Sequence, residues 1–229
     1  MDDSFPWLAR LLQVNDSSFP TGGYAHSCGF EQIVQFGLVH DAASMSAHLE
    51  NHLWPMLIHF ELPIVRLARE AARNDDLPAL IELAEIVEAS KSARELREAS
   101  RVMGARRLHA FCTTGPSIIL SRFAQAVEEG RAMPHHAIVY AVGEKDVPLR
   151  ALLAAWSFQS LNALCLAAPK LFRIGQDAAQ RILTAALAET DIRITQSLDI
   201  SRHDLGYFDP LLDLASMHHE IAHERLFIS

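Results

Sequence analysis

The chain has 229 residues, half of them hydrophobic and 21% charged, a balance that excludes a disordered chain, a collagen-like repeat and a miniature fold held by disulfides. Twenty Lys and Arg against 28 Asp and Glu leave a net charge of −8, the wrong sign for a general binder of nucleic acid or anionic membrane. Twelve histidines invite a metal hypothesis, which their spacing has to support.

Phe5, Leu8, Leu11 and Leu12 recur at helical spacing, and the run Asn15-Asp16-Ser17-Ser18-Phe19-Pro20-Thr21-Gly22-Gly23 breaks the pattern. A second helix is expected from about His26 to Phe36, ending at Gly37. Asp41 is placed to cap a helical region reaching about Arg73, with kinks or breaks at Pro55 and Pro63. Asp76, followed by Pro78, opens a helix whose Leu80, Ala84 and Val87 share one face. Ser92-Ala93-Arg94-Glu95 has the form of a capping box and opens a helix reaching about Cys112. Gly115-Pro116 stops it, and short helices follow near 117–129 and 135–142. Asp146, ahead of Pro148, is expected to cap a long helix, and another spans about 176–189. Ile192-Arg193-Ile194-Thr195 is the best strand candidate, and it stands alone. Asp209-Pro210 supplies a cap and a first-turn proline to the last helix. With no repeat and no Gly/Ser linker, the pattern predicts a single all-α domain over residues 1–229, with about ten helices.

Ala151 to Pro169 carries no charge and approaches spanning length, but Ser157, Gln159, Ser160 and Asn162 crowd its middle. It reads as a helix buried in a core or a subunit interface, not as a membrane span. Cys28, Cys112 and Cys165 form no C-x-x-C pair and read as buried, reduced thiols. Asp2 and Asp3 stand where an export signal needs positive charge, so the expected location is the cytoplasm.

Charge is uneven along the chain. Residues 91–107 hold Lys91, Arg94, Arg97, Arg101, Arg106 and Arg107 against Glu95 and Glu98 only. Lys91 with Glu95 and Arg94 with Glu98 are i,i+4 pairs, as on a solvated helix face. The sharper alternative is a basic stripe that docks an acidic partner surface. Nucleic acid is disfavoured by the acidic remainder and by the lack of interleaved aromatics.

His219-Glu220-Ile221-Ala222-His223 spells H-E-x-x-H, the zinc-protease pattern of two imidazoles one helical turn apart with a glutamate base. Only Glu224 to Ser229 follow, however, too little chain for a downstream third ligand, and Leu211, Leu214, Ala215 and His218 suggest a packing stripe. A zincin-like metal hydrolase is therefore the alternative reading, and the protein is expected to be no enzyme, with neither catalytic nor metal-ligating residues. No P-loop glycine pattern and no G-x-S-x-G elbow is present.

Two segments remain. In the loop Phe19 to Glu31, Gly22 and Gly23 permit sharp turning and Tyr24 offers a rigid ring with a polar tip, the chemistry favoured at interfaces. At the C-terminus, Leu226, Phe227 and Ile228 are too apolar for a free tail and should pack on this protein or on a partner.

At these two ends the chain resembles the UreF-type urease accessory proteins. The matching runs are Leu12-Gln13-Val14-Asn15-Asp16 through Phe19-Pro20-x-Gly22-x-Tyr24-x-His26-Ser27-x-Gly29-x-Glu31, and Asp213-x-Ala215-Ser216-Met217-x-His219-Glu220 followed by Arg225 to Ser229. Weaker matches are Glu95-Leu96-Arg97 with Gly104, and Ile174-Gly175-Gln176 with Gln180. The resemblance implies an all-helical, homodimeric, cytoplasmic, non-catalytic chaperone. It would join a UreD/UreH-type protein and recruit and regulate the UreG-type GTPase for GTP-dependent nickel insertion into the urease apoprotein, a step of metallocenter assembly. Nickel and GTP would be handled by that partner complex, so no cofactor is expected here. Residue by residue, it points to Pro20, Gly22, Tyr24, His26, Ser27, Glu31, Gln176, Arg225, Leu226 and Phe227 as partner-binding. Arg173 and Pro169 depart from the family pattern and alter the corner where Gln176 lies.

Overall fold

The computed structural model describes residues 5–222 and 224–229, and every regular element among them is helical. The fold is all-α, with eleven helices among the described residues when the run from Ala42 to Arg73 is taken as one. Helix α1 (Pro6–Asn15) starts on a proline and buries Leu11 and Val14, leaving Phe5, Leu8 and Leu12 exposed. The helix expected from His26 begins only at Phe30, as α2 (Phe30–Gln35). Cys28 and Gly29 take φ of 52° and 84°, left-handed values that a right-handed helix cannot contain.

Asp41 caps α3 (Ala42–His48) in a reciprocal box with Ser44. The chain then continues through α4 (Trp54–Met56) and α5 (Leu62–Arg73), joined by single π-helical turns at Leu49–Leu53 and Leu57–Glu61. The prolines neither break nor end this run. Each follows a π turn, and the carbonyl four residues before it, which a proline cannot engage, faces the 206–207 loop. Gly206 N–H donates to His59 O at 3.3 Å, and the Tyr207 hydroxyl lies 3.5 Å from Asn51 O.

Helix α6 (Leu77–Ser90) is capped by Asp76 and buries Leu80, Ala84 and Val87 as its spacing required. Helix α7 (Arg94–Thr113) has no capping box. Glu95, in its first turn, has other work: it reaches His219 near the C-terminus. Ser117 caps α8 (Ile118–Glu128), and α9 (His136–Gly143) lies at the centre, buried from His136 to Val142 between α5 and α7. Gly104 makes this crossing close, since a Cβ there would collide with the Pro134 carbonyl.

Pro148, not Asp146, is the N-cap of α10 (Leu149–Leu171). Asp146 instead pairs with Lys145. By length and composition α10 could cross a membrane. Here Leu152, Leu153, Trp156, Leu161 and Cys165 are buried in the protein core, while Phe158 and Leu166 are exposed. After α11 (Gln176–Ala188), the strand candidate at 192–195 is part of α12 (Thr190–Leu198), where Ile194 faces the core and Ile192 does not. Asp209 caps α13 (Pro210–Glu220). Buried apolar side chains from Leu11 to Phe227 form one contiguous core. Of the three unpaired thiols, only Cys165 is fully buried; Cys28 is exposed, contrary to expectation.

The basic segment is no row of local i,i+4 pairs. Lys91 pairs with Glu61 and Arg94 with Glu220, Arg97 and Arg101 converge on Glu88, and Arg107 is buried. Its charges tie α7 to other elements, leaving Arg106 exposed beside Gly22.

Candidate functional site

The glycine loop and the C-terminal tail, linked by contacts that span 195 to 203 residues of sequence, form one assembly. Gly22, at φ 74°, turns the chain into a short 3-10 turn, Gly23–Ala25, which leaves Tyr24 75% exposed. The chain then extends through His26. Ile228 N–H donates to Ala25 O at 2.8 Å, and the Ser229 carbonyl accepts from the backbone N–H groups of Ser27 and Cys28 and from the Ser27 hydroxyl. His26 Nδ1 meets Ser229 Oγ at 2.6 Å. Burial, reinforced by the Arg106 charge, lowers the His26 pKa from its ordinary value, so the ring is neutral near pH 7.

Beneath the tail lies a buried ionic centre. Glu31, in the first turn of α2, accepts backbone N–H bonds from Leu226 at 2.9 Å and Phe227 at 3.0 Å. Its second oxygen lies 3.1 Å from His219 Nε2, and His219 Nδ1 lies 3.0 Å from both oxygens of Glu95. Each ring nitrogen of His219 thus faces an acidic side chain. Arg225 Nη1 reaches Glu95 at 3.4 Å, so the two acidic side chains share one histidine and one arginine. Glycine at 29 lets α13 approach this centre, because a Cβ there would stand 2.6 Å from Ser216 Oγ.

The structure thus brings Tyr24, His26, Ser27, Glu31, Arg225, Leu226 and Phe227 into one place. Ser27, His26, Glu31 and Phe227 are buried and build the frame, while Tyr24 and Leu226, at 75% and 70% exposure, stand on its outside. Phe227 packs under the Lys170 ammonium, 5.4 Å from its ring, at the end of α10. Pro20 is exposed on the near side of the loop, lining a groove with Arg106 and His109. Gln176 opens α11, exposed, and takes no part in the hydrogen bonds of this assembly.

The H-E-x-x-H pattern is dismantled by the same contacts. Both ring nitrogens of His219 are taken by carboxylates and Glu220 is paired with Arg94; His223 lies outside the described residues. The expected stripe is split: Leu211 and Ala215 pack against the core, while Leu214 and His218 are exposed. Ala215, Ser216 and His219 are the buried face of α13, and Leu214, Met217 and Ile221 lie exposed on the opposite side. Sequence reasoning missed that Glu95 and His219 are the joint between loop and tail. Its one available signal was a pair of acidic and histidine positions within the runs that carried the family resemblance.

A model of the UreF family matches residues 39–187. The chain is 34% identical to the urease accessory protein UreF of Arthrobacter sp. (strain FB24) over 96% of each chain. It is 33% identical to that of Bacillus sp. (strain TB-90) over 97% of this chain and 99% of the relative. With that of Kocuria rhizophila it shares 32% identity over the full length of both. Together with the all-helical fold, these similarities define a helical accessory protein of non-catalytic class. The chain belongs to the UreF family.

Proposed function

We propose that the loop–tail assembly is the docking site through which this chain joins a UreD/UreH-type protein and recruits and regulates a UreG-type GTPase, for GTP-dependent nickel insertion into the urease apoprotein. The observation that carries this reading is an apolar surface on a rigid mount. Tyr24, Leu226 and Ile228 are exposed on a backbone held by buried hydrogen bonds to Glu31, and Leu214 and Met217 of α13, with Ile221 just after it, are exposed as well. Exposed apolar surface held in fixed geometry suits protein recognition, because little conformational entropy is lost on binding. Nickel and GTP belong to the partner complex in this reading. A cytoplasmic homodimer fits it, with Phe5 and, on α1, Leu8 and Leu12 offering apolar surface to a second copy.

The test is co-purification with the UreG-type and UreD/UreH-type proteins of the same source. Tyr24→Ala is expected to change stability by less than about 0.5 kcal/mol. Removing Arg225–Ser229 should leave the helical circular dichroism near that of the parent. Both changes are expected to abolish the complex and urease activation. Normal activation by either variant would overturn the assignment of the site.

A further inference from the structure

A cavity of about 660 Å³ runs inward from the loop residues Tyr24 and Ser27 and the tail residue Phe227 toward Arg107, His136 and Trp156. Its inner wall carries a positive charge with no carboxylate in contact. Arg107 is 1% exposed, and its three hydrogen-bond partners are neutral: His136 Nε2 at 3.0 Å, Val14 O at 3.2 Å and Gln159 Oε1 at 2.8 Å. A guanidinium has five N–H groups, so two remain unspent. The carboxylate that acts on it from a distance, Glu144, is engaged by Arg10 at 2.9 Å. The rings of Tyr140, Phe19 and Phe111, with centroids 5.0, 5.4 and 5.9 Å away, soften the burial of the charge without neutralising it.

The neighbouring polar atoms point the same way. Trp156 is 3% exposed, and its indole N–H has no partner. Its ring lies 5.1 Å from His136 and 4.9 Å from Tyr140, which places it in the same cluster as the guanidinium. His136 accepts from Arg107 at Nε2, so as a neutral ring it carries its proton on Nδ1. Asn15 Oδ1 is an acceptor buried without a partner, its amide nitrogen being held by Leu11 O and Tyr140, and His26 Nε2 on the same lining is likewise buried without one. Elsewhere on the lining, Glu61 and Lys91 neutralise each other, Lys170 covers the Phe227 ring, and Asp16 is exposed and bonded to Ser18. Unmatched positive charge on Arg107 and the unspent donors of Arg107 and Trp156 together describe a receptor for a small anion bearing oxygen.

We propose that this cavity binds a small oxyanion, held by the spare N–H groups of Arg107 and the indole N–H of Trp156, with Asn15 Oδ1 accepting from any hydroxyl the anion carries. The site lies behind the docking surface and stands on different observations, so it holds or fails separately from the docking assignment.

Calorimetric titration of the full-length protein with sodium phosphate, and separately with sodium acetate, at constant ionic strength set by chloride, tests the proposal. Saturable one-site binding of phosphate or acetate is expected, with no saturable heat from chloride. Binding of acetate alone would mark a carboxylate ligand, and binding of phosphate alone an inorganic oxyanion. Trp156→Phe keeps the ring and removes only the donor, so the affinity should fall about ten-fold while the fold is retained. Arg107→Met should abolish binding; where that variant does not fold, the Trp156→Phe comparison decides. Absence of saturable binding by both anions, or an affinity unchanged in Trp156→Phe, overturns the proposal.

Discussion

Two buried ionic centres organise this molecule, and they solve the same problem in opposite ways. Around His219 the polar groups close: Glu31 and Glu95 are met by its imidazole and by Arg225, and the Glu31 oxygens also accept backbone N–H groups of the tail. Around Arg107 the charge stays open, supported by neutral acceptors and aromatic faces and bordered by a cavity. A closed centre acts as a joint, since every partner needs the others to compensate its burial. An open centre has binding capacity left over. The closed one therefore marks where the protein holds itself together, and the open one where it has room for something else.

The largest effect should come from breaking the joint. His219→Ala leaves two buried carboxylates with Arg225 as their remaining cation, and a loss of about 3–5 kcal/mol is expected in urea denaturation. Backbone amides at 226 and 227 should lose protection from hydrogen exchange in the same variant. A loss below about 1 kcal/mol would show that the centre is not the joint described.

Acid gives an intermediate effect and addresses the neutral histidines. Burial holds His48 and His135 down to about 4, and burial and the Arg107 charge hold His136 well below its ordinary 6.5. The unfolded chain takes up these protons near pH 6.5, and the folded one only near pH 4 for His48 and His135. Their contribution is therefore complete above pH 6.5 and is lost as pH falls toward 4, by roughly 1–3 kcal/mol per histidine. Stability measured from pH 7.5 to 4.5 should fall with proton uptake on unfolding. His48→Gln should flatten the profile, and an unchanged slope would contradict its assignment.

The smallest effect is expected at the open centre. Arg107→Met removes a buried charge without stranding a carboxylate, so stability should change by about 1 kcal/mol in either direction. A loss as large as that from His219→Ala would erase the distinction between the two centres.

Much of the helical frame was legible in the sequence because its signals are local. Asp41, Asp76 and Asp209 cap the helices their positions announced, and Leu80, Ala84 and Val87 are buried together. The same local logic failed where a side chain had a distant use. Ser92 and Glu95 match a capping box in spacing, yet no side chain caps α7 and the partner of Glu95 is His219 on α13, which no window around residue 92 contains. The six cations of residues 91–107 read as one solvated or docking face, but most are committed to carboxylates on other elements and Arg107 is interior. For the site, the loop and tail were visible as separate segments. Their union was not, because it rests on Glu31, Glu95 and His219 meeting in space. Gln176 was grouped with them by resemblance, and the fold sets it on α11, outside their hydrogen-bonded assembly.

The carbonyls of Asn51 and His59, released by Pro55 and Pro63, anchor the loop that leads through Asp209 into α13. His52, from the same turn as Asn51, fastens Asp209 at 2.6 Å. The starting point of the last helix, and with it the reach of the tail, is thus gauged mainly against main-chain atoms of a helix eight residues from one proline to the next. Such a gauge tolerates side-chain replacement at positions 51 and 59 but not a change in spacing. A single residue inserted between the two prolines would move one anchor off its mark and carry the tail out of register with the glycine loop.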